Sequence, residues 1–370
     1  MVNRLYGLII VFILWACQVS AQNIDSISYV IDSTYKQSPF YGNLLITKNG
    51  KTIFEKSYGN ADAVNGVKLT SDNSFQVASI SKQFTAYGIL LLHAKGALNY
   101  DDKVSRYIPG FPYDNITIRH LLTHTSGLPD FWDGIRPYLD TTKANGNKEV
   151  LEYLIKHKMP LQFEPGSQLA YADIGYDFLA NIIENRSYVN YQEFMEQNIF
   201  KPLKMKNTYA YMVTDIRKIK NKHLAKGHVY QGGKFEYAHT QPKYNFVYYL
   251  GDFYGDGSVV TSARDLARWD RALKNYTLLP AYIQDKAFKE NEYSGQIVRP
   301  KSSPEVGYGF GWFIKNISGK RVYYHTGGHP GNVHVIYRIP EKDMAFIFLS
   351  NAETPNLRGL RNRILELLLR

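Results

Sequence analysis

The rhythm of apolar and polar positions changes twice along this chain. Near the start, Ile24 to Tyr35 has the spacing of a short helix, and Leu44 to Thr47 and Thr52 to Lys56 are β-like runs on either side of Asn49-Gly50. Asn-Gly between two such runs is a hairpin signal, because both residues tolerate the positive φ of a tight turn. From Ser79 to about Trp269 the pattern is mostly helical. A long apolar-periodic stretch from Ile80 to His93 stops at Lys95-Gly96, with Gly96 as its C-cap, and further helices are predicted at Lys148 to His157, Ile174 to Glu184 and Tyr191 to Gln197. Ser262 with Asp265 opens another in capping-box fashion. Strand patterns return at Gly309 to Ile314, Val322 to His325, Val333 to Arg338 and Ala345 to Leu349, and Leu357 to Leu369 reads as a closing helix.

Strands at both ends with helices between them predict an α/β (α+β) chain. One antiparallel sheet, flanked by the N- and C-terminal helices, is shared by the two ends, with a helical subdomain inserted between them. The expected division is a sheet region over about 22–78 and 300–370 and a helical region over about 79–299. No internal repeat or low-complexity linker interrupts it.

Composition refines this picture in three ways. At 370 residues and 44% hydrophobic, the chain can bury a sizeable core, which excludes disorder as the overall reading. The first residues pair the cation Arg4 with an apolar run from Leu8 to Ala16 and then Val19-Ser20-Ala21. That run is too short to span a bilayer and reads as a secretory signal over residues 1–21, so no transmembrane span is expected after its removal. Leu14-Trp15-Ala16-Cys17 also looks like a lipobox whose cysteine would be acylated. Trp15 is a poor lipobox residue, which favours ordinary cleavage and a periplasmic or secreted protein. Cys17 is the only cysteine, so after simple cleavage the chain has neither disulfides nor thiol metal ligands. The net charge of +11 becomes +10 once Arg4 leaves, but the cations are scattered rather than clustered with aromatics, which argues against nucleic acid as a partner.

Three segments carry candidate chemistry. Ser79-Ile80-Ser81-Lys82 sets a hydroxyl and an amine three residues apart at the start of a helix, so both project from one face. Such a serine would be a nucleophile activated by the lysine; the plain alternative is a helix cap beside a solvated lysine. Tyr171-Ala172-Asp173 follows the turn Glu164-Pro165-Gly166 and precedes the Ile174 helix, where Asp173 could simply be an N-cap. His325-Thr326-Gly327-Gly328 ends a β-branched and aromatic run, and its glycines would let a substrate approach the strand closely. His120 and His124 are four apart, but no third ligand is near, so neither metal nor organic cofactor is expected. Tyr248-Tyr249 and Phe253-Tyr254 either wall a cleft or pack the core.

Taken together and in this order, the three segments resemble the motif set of the serine β-lactamase and penicillin-binding-protein family, in the branch of class C β-lactamases, D,D-carboxypeptidases and esterases. The resemblance extends to Arg119 through Leu128, to Gly255-Asp256-Gly257 through Trp269 and to Tyr308-Gly309-Phe310-Gly311-Trp312, and covers about residues 40 to 365. It implies that Ser79 attacks a carbonyl, that Lys82 and Tyr171 pass the proton, and that the N–H groups of Ser79 and Gly328 form the oxyanion hole. Asp173, Thr326 and Gly327 would complete the binding strand and loop. His325 would orient the site and, when protonated, attract a substrate carboxylate. Asp173 departs from the family's Asn: a carboxylate cannot donate the amide hydrogen bond, and beside Lys82 it favours the ammonium form.

The implied activity is an exported serine hydrolase acting through an acyl-serine on an ester, a peptide or an amide, with peptidoglycan among the candidate substrates. A carboxylesterase of the same fold, or a slow-turnover peptidoglycan- or peptide-binding homologue, are the alternatives. Oligomeric state is not legible.

Overall fold

The computed structural model describes residues 24–129, 131–212 and 223–370. Arg4, the predicted cleavage after Ala21 and the candidate acylation site Cys17 lie outside the described residues.

A seven-stranded antiparallel sheet draws its strands from both ends of the chain. We label its strands β1 (Gly42–Lys48), β2 (Lys51–Tyr58), β3 (Val306–Tyr308), β4 (Phe313–Ile317), β5 (Lys320–His329), β6 (Asn332–Ile339) and β7 (Met344–Ser350). Their spatial order is β3-β4-β5-β6-β7-β1-β2. The hairpin between β1 and β2 turns at Asn49 and Gly50, whose φ values are 52° and 71°. β2 lies at one edge of the sheet with largely exposed positions, and its lysines Lys51 and Lys56 blunt an otherwise pairable edge.

Both faces of the sheet are covered, so its inner strands read as nearly continuous apolar runs. In register, Leu44 faces Phe348 and Leu45 faces Ile347. Leu44, Ile46, Phe346 and Phe348 pack against helix α1 (residues 24–37) and the C-terminal helix, with Ile27, Ile31, Leu360 and Ile364. Leu45, Ile347 and Leu349 point the other way, into a core shared with the inserted helices. Burying each such side chain stabilises by about 1.5–3 kcal/mol before chain entropy is subtracted.

In that inserted region we label α2 (Lys82–Ala94), α3 (Asp173–Ser187) and α4 (Ala263–Lys274); α5 (Leu357–Leu369) is the C-terminal helix. α2 ends where expected, with Gly96 at φ 70°. α4 opens on the expected cap, Ser262 accepting the Asp265 N–H at 3.2 Å. Trp269 of α4 is fully buried and donates its indole N–H to Gln83 of α2 at 3.1 Å, fixing one helix to the other.

Two strand expectations are corrected. The predicted Gly309 to Ile314 strand is split: β3 ends at Tyr308 and β4 begins at Phe313, around Gly311 at φ 79°. A Cβ on Gly311 would lie 2.8 Å from the Lys82 carbonyl oxygen, and one on Gly309 2.1 Å from that of Ala287, so this turn is pressed against backbone. The strand predicted at Val322 to His325 instead runs to His329, so His325 to Gly328 are ladder residues of β5 rather than its end.

Among the described residues, no helix is long and apolar enough to cross a membrane.

Candidate active site

The turn that carries Ser79 is held from several directions. Residues Ala78–Ser81 form one 3-10 turn leading into α2. Just before it, Val77 donates its N–H to Val259 O at 3.0 Å, and His334 Nε2 donates to Gln76 O at 2.8 Å. Ser81 Oγ accepts the Val259 N–H at 2.9 Å. Ala78 sits at φ 48°, a left-handed conformation that a residue with a Cβ rarely adopts. Gly327 of β5 packs on the same turn: a Cβ there would stand 2.1 Å from Val77 O. Only glycine lets β5 approach the nucleophile this closely.

Lys82 is fully buried, and each of its three N–H bonds has an acceptor. These are Ser79 Oγ at 3.2 Å, Asp173 Oδ1 at 2.7 Å and the Asp256 carbonyl at 2.9 Å. Burial lowers its pKa, but Asp173, by charge and hydrogen bond, together with Tyr171 and Asp256 more than offsets this and holds Lys82 well above its ordinary value. Asp173 opens α3, yet its side chain does not cap the helix. The capping position is Ala172, without a side-chain bond, so the carboxylate is committed to Lys82. The plain N-cap reading of Asp173 is thereby replaced by an ion pair.

Tyr171 brings its hydroxyl into the same corner. That oxygen makes no well-aligned hydrogen bond, yet Ser79 and Lys82 both lie close enough to act on it, and the ring lies 5.1 Å from Lys82 Nζ. Burial pushes the phenol up to about 12, against the pull of Lys82. His124 positions this segment: its Nδ1 accepts the Ala172 N–H at 3.1 Å, and its ring packs 4.2 Å from Tyr171 and 4.6 Å from Tyr308. His120 accepts the Thr117 N–H at 3.2 Å in a helix cap, so both histidines of the i, i+4 pair have structural partners.

Across the cleft, His325 is 1% exposed. Its Nδ1 donates to Thr326 O at 2.7 Å, and its Nε2 then accepts from the Tyr308 hydroxyl at 3.1 Å. Burial, with the nearby Lys82 charge, lowers its pKa to about 3. The expected cationic role of His325 is therefore corrected: it is held as a neutral imidazole. Thr326 is half-buried on β5. Its carbonyl takes part directly, as the acceptor for His325 Nδ1. Gly328 is open to the cleft.

Ser79, Asp173 and Gly328 line a cavity of about 190 Å³ whose far wall includes Phe131, Trp132, Phe246 and Phe253. The aromatic stretch thus divides. Phe253 faces the cleft, whereas the Tyr254 hydroxyl bonds Glu184 at 2.6 Å in the packing around α3. Asp177 and Asp256 also line this cavity. Sequence reasoning missed Asp177, and gave Tyr308 and His124 no part in the site. Asp177 had one available signal, its place one helical turn after Asp173.

The class that this fold and site define is the β-lactamase-related serine hydrolases. The chain belongs to the Beta-lactamase family, whose model matches residues 42–370. It is 37% identical over 317 residues to penicillin-binding protein 4* of Bacillus subtilis (strain 168), a match covering 85% of this chain and 68% of that protein. It is 30% identical over 339 residues to the protein flp of Staphylococcus aureus (strain MW2), covering 90% of this chain but 63% of that protein. In fold, it is similar to an octameric penicillin-binding protein homologue from Pyrococcus abyssi, with a TM-score of 0.75 at 24% identity over 93% of this chain and 77% of that one.

Proposed function

We propose that this chain hydrolyses an ester, amide or peptide through an acyl-enzyme on Ser79. The observation that carries the reading is the closed contact set around one ammonium, with Ser79 Oγ 3.2 Å and Asp173 Oδ1 2.7 Å from Lys82 Nζ.

In the first step a carbonyl carbon bonds to Ser79 Oγ as the hydroxyl proton leaves. The carbonyl oxygen gains the negative charge, facing the N–H groups of Ser79 and Gly328. Donors so placed are worth about 10²–10³-fold each in rate. Collapse breaks the bond to the leaving group, which departs with the proton. Water then attacks the acyl-serine in the reverse sense, releasing the acid and restoring the Ser79 hydroxyl.

The proton's path follows from the charges. Lys82 as an ammonium is a donor only, and becomes a base after giving a proton to Asp173 or to solvent. Tyr171 is the second candidate acceptor, made accessible by the Lys82 charge and opposed by burial. Either path predicts acylation that speeds up toward alkaline pH. Thr326, Gly327 and His325 serve the site by shaping β5, with His325 as a neutral hydrogen-bonding post.

The envelope is the proposed location, with residues 1–21 as an export signal or Cys17 as a lipid attachment site, and peptidoglycan peptides among the substrates. The mature N-terminus, read by mass spectrometry after expression with its leader, separates these two forms. A second reading, slow-turnover capture, is favoured by the Asp173 carboxylate where the family has an amide. Burst kinetics separate the two: repeated turnover of a nitrophenyl ester or a D-Ala-D-Ala peptide supports hydrolysis, and a single stoichiometric burst supports capture.

A further inference from the structure

Three carboxylates line the cavity beside Ser79, and among the described residues no lysine or arginine does. Asp173 is matched by Lys82, but Lys82 has no N–H left for the others, its three being placed on Ser79, Asp173 and the Asp256 carbonyl. Asp177 is 2% exposed and hydrogen-bonded to the Asp256 carboxyl, and its Oδ1 is buried with no partner among the described residues. A buried polar oxygen left unpaired costs roughly 1–3 kcal/mol, so its persistence at a cavity wall marks a place where something else completes it.

We infer that the cavity receives substrates bearing a protonated amine close to the scissile carbonyl, with Asp177 and Asp256 as its receptors. This rests on the acyl-serine reading above and names the substrate class for it. Two adjacent carboxyl groups in a dry site hold a proton between them when empty. Burial, followed by the neighbouring Asp256 charge, raises Asp177 well above the carboxylate range, and burial raises Asp256 as well. An arriving ammonium supplies the positive charge in place of that proton, which leaves to solvent, and donates to the orphaned Oδ1. Of the rings on the facing wall, Trp132 already has the Arg136 guanidinium over it at 5.1 Å, so the attraction for the ammonium rests on the carboxyl pair. A substrate carboxylate at the same place would meet like charge. The selectivity expected of a cationic His325 is therefore reversed: the cavity is built for a cation.

Calorimetric binding of benzylammonium, benzyl alcohol and benzoate at neutral pH tests this on the wild-type chain. Benzylammonium should bind at least about tenfold more tightly than benzyl alcohol, with benzoate weakest. In Asp177→Asn the ammonium preference should fall by about tenfold, and Asp256→Asn gives a second variant should the first fail to fold. Equal binding of the cation and its neutral counterpart by the wild type, or a preference surviving in a folded variant, overturns it. Fluorophosphonate labelling of Ser79, read by intact mass, tests the underlying reading separately. Ammonium preference without labelling leaves the subsite and removes the acyl-serine; labelling without ammonium preference does the opposite.

Discussion

The two walls of the cleft are equally dry, yet one holds a charge and the other does not. On the helix wall, Lys82 is 0% exposed and remains an ammonium; on the strand wall, His325 is 1% exposed and is driven neutral. The partners make the difference. Lys82 has a carboxylate at 2.7 Å, whereas His325 has only a carbonyl and a phenol. Burial disfavours any charge, and only a countercharge in direct contact outweighs it. Proton movement is thus confined to the helix wall, while the strand wall supplies shape and backbone donors.

The largest expected break comes from the charged wall. Lys82→Met removes both the ammonium and any base derived from it, and the rate of Ser79 acylation, followed by stopped-flow with a chromogenic ester, should fall by about 10³-fold. On the neutral wall the comparable break is geometric. Gly327→Ala forces β5 off the Val77 carbonyl, only 2.1 Å from the new Cβ, and carries the Gly328 N–H with it. A loss of about 10²-fold in kcat/KM is expected. If Gly327→Ala proves harmless, β5 does not supply the oxyanion donor.

Asp173→Asn sharpens the comparison rather than breaking it. Without its carboxylate partner, Lys82 loses the largest of the influences that hold its pKa up, so the neutral amine forms at lower pH and the alkaline rise in acylation should move toward neutrality. A pH–rate profile that does not move assigns the titrating base to another group. The smallest effect is on stability. His325 and His334 have folded pKa values of about 3, far below the ordinary 6.5. Their contribution is complete above about pH 6.5 and is lost as pH falls toward 3, because the unfolded chain takes up protons first. Asp177 and Asp256 act in the opposite sense: with raised folded values, what they contribute is present below the ordinary 3.8 and lost as pH rises through those values. The unfolding midpoint should fall between pH 7 and 5, and a midpoint that rises over this range would show the carboxyl pair to dominate.

What could be read from the chain was whatever local chemistry decides. Asn49-Gly50, Gly96 and the Ser262 cap each need only their own neighbours, and each is where the pattern places it. Ser79 and Lys82 were legible together because residues three apart at a helix start share a face. Gly309 to Ile314 was misread since its alternation is real but its geometry is set from outside, by the Lys82 and Ala287 carbonyls. His325 shows the same limit for charge. The residue type was apparent in the sequence, whereas its neutrality depends on Tyr308, Thr326 and a burial that only the assembled sheet creates. The Asp177–Asp256 pair joins residues far apart in the chain, and nothing local announces it.

Every catalytic role proposed for Lys82, Tyr171 and β5 depends on the identity of the nucleophile. Intact mass of the wild type after brief exposure to a fluorophosphonate or a slowly released acyl ester should increase by one acyl or phosphonyl group, localised by peptide mapping to Ser79, and Ser79→Ala should gain none. An adduct of the same mass on Ser79→Ala, or one mapped to another residue in the wild type, would contradict that assignment.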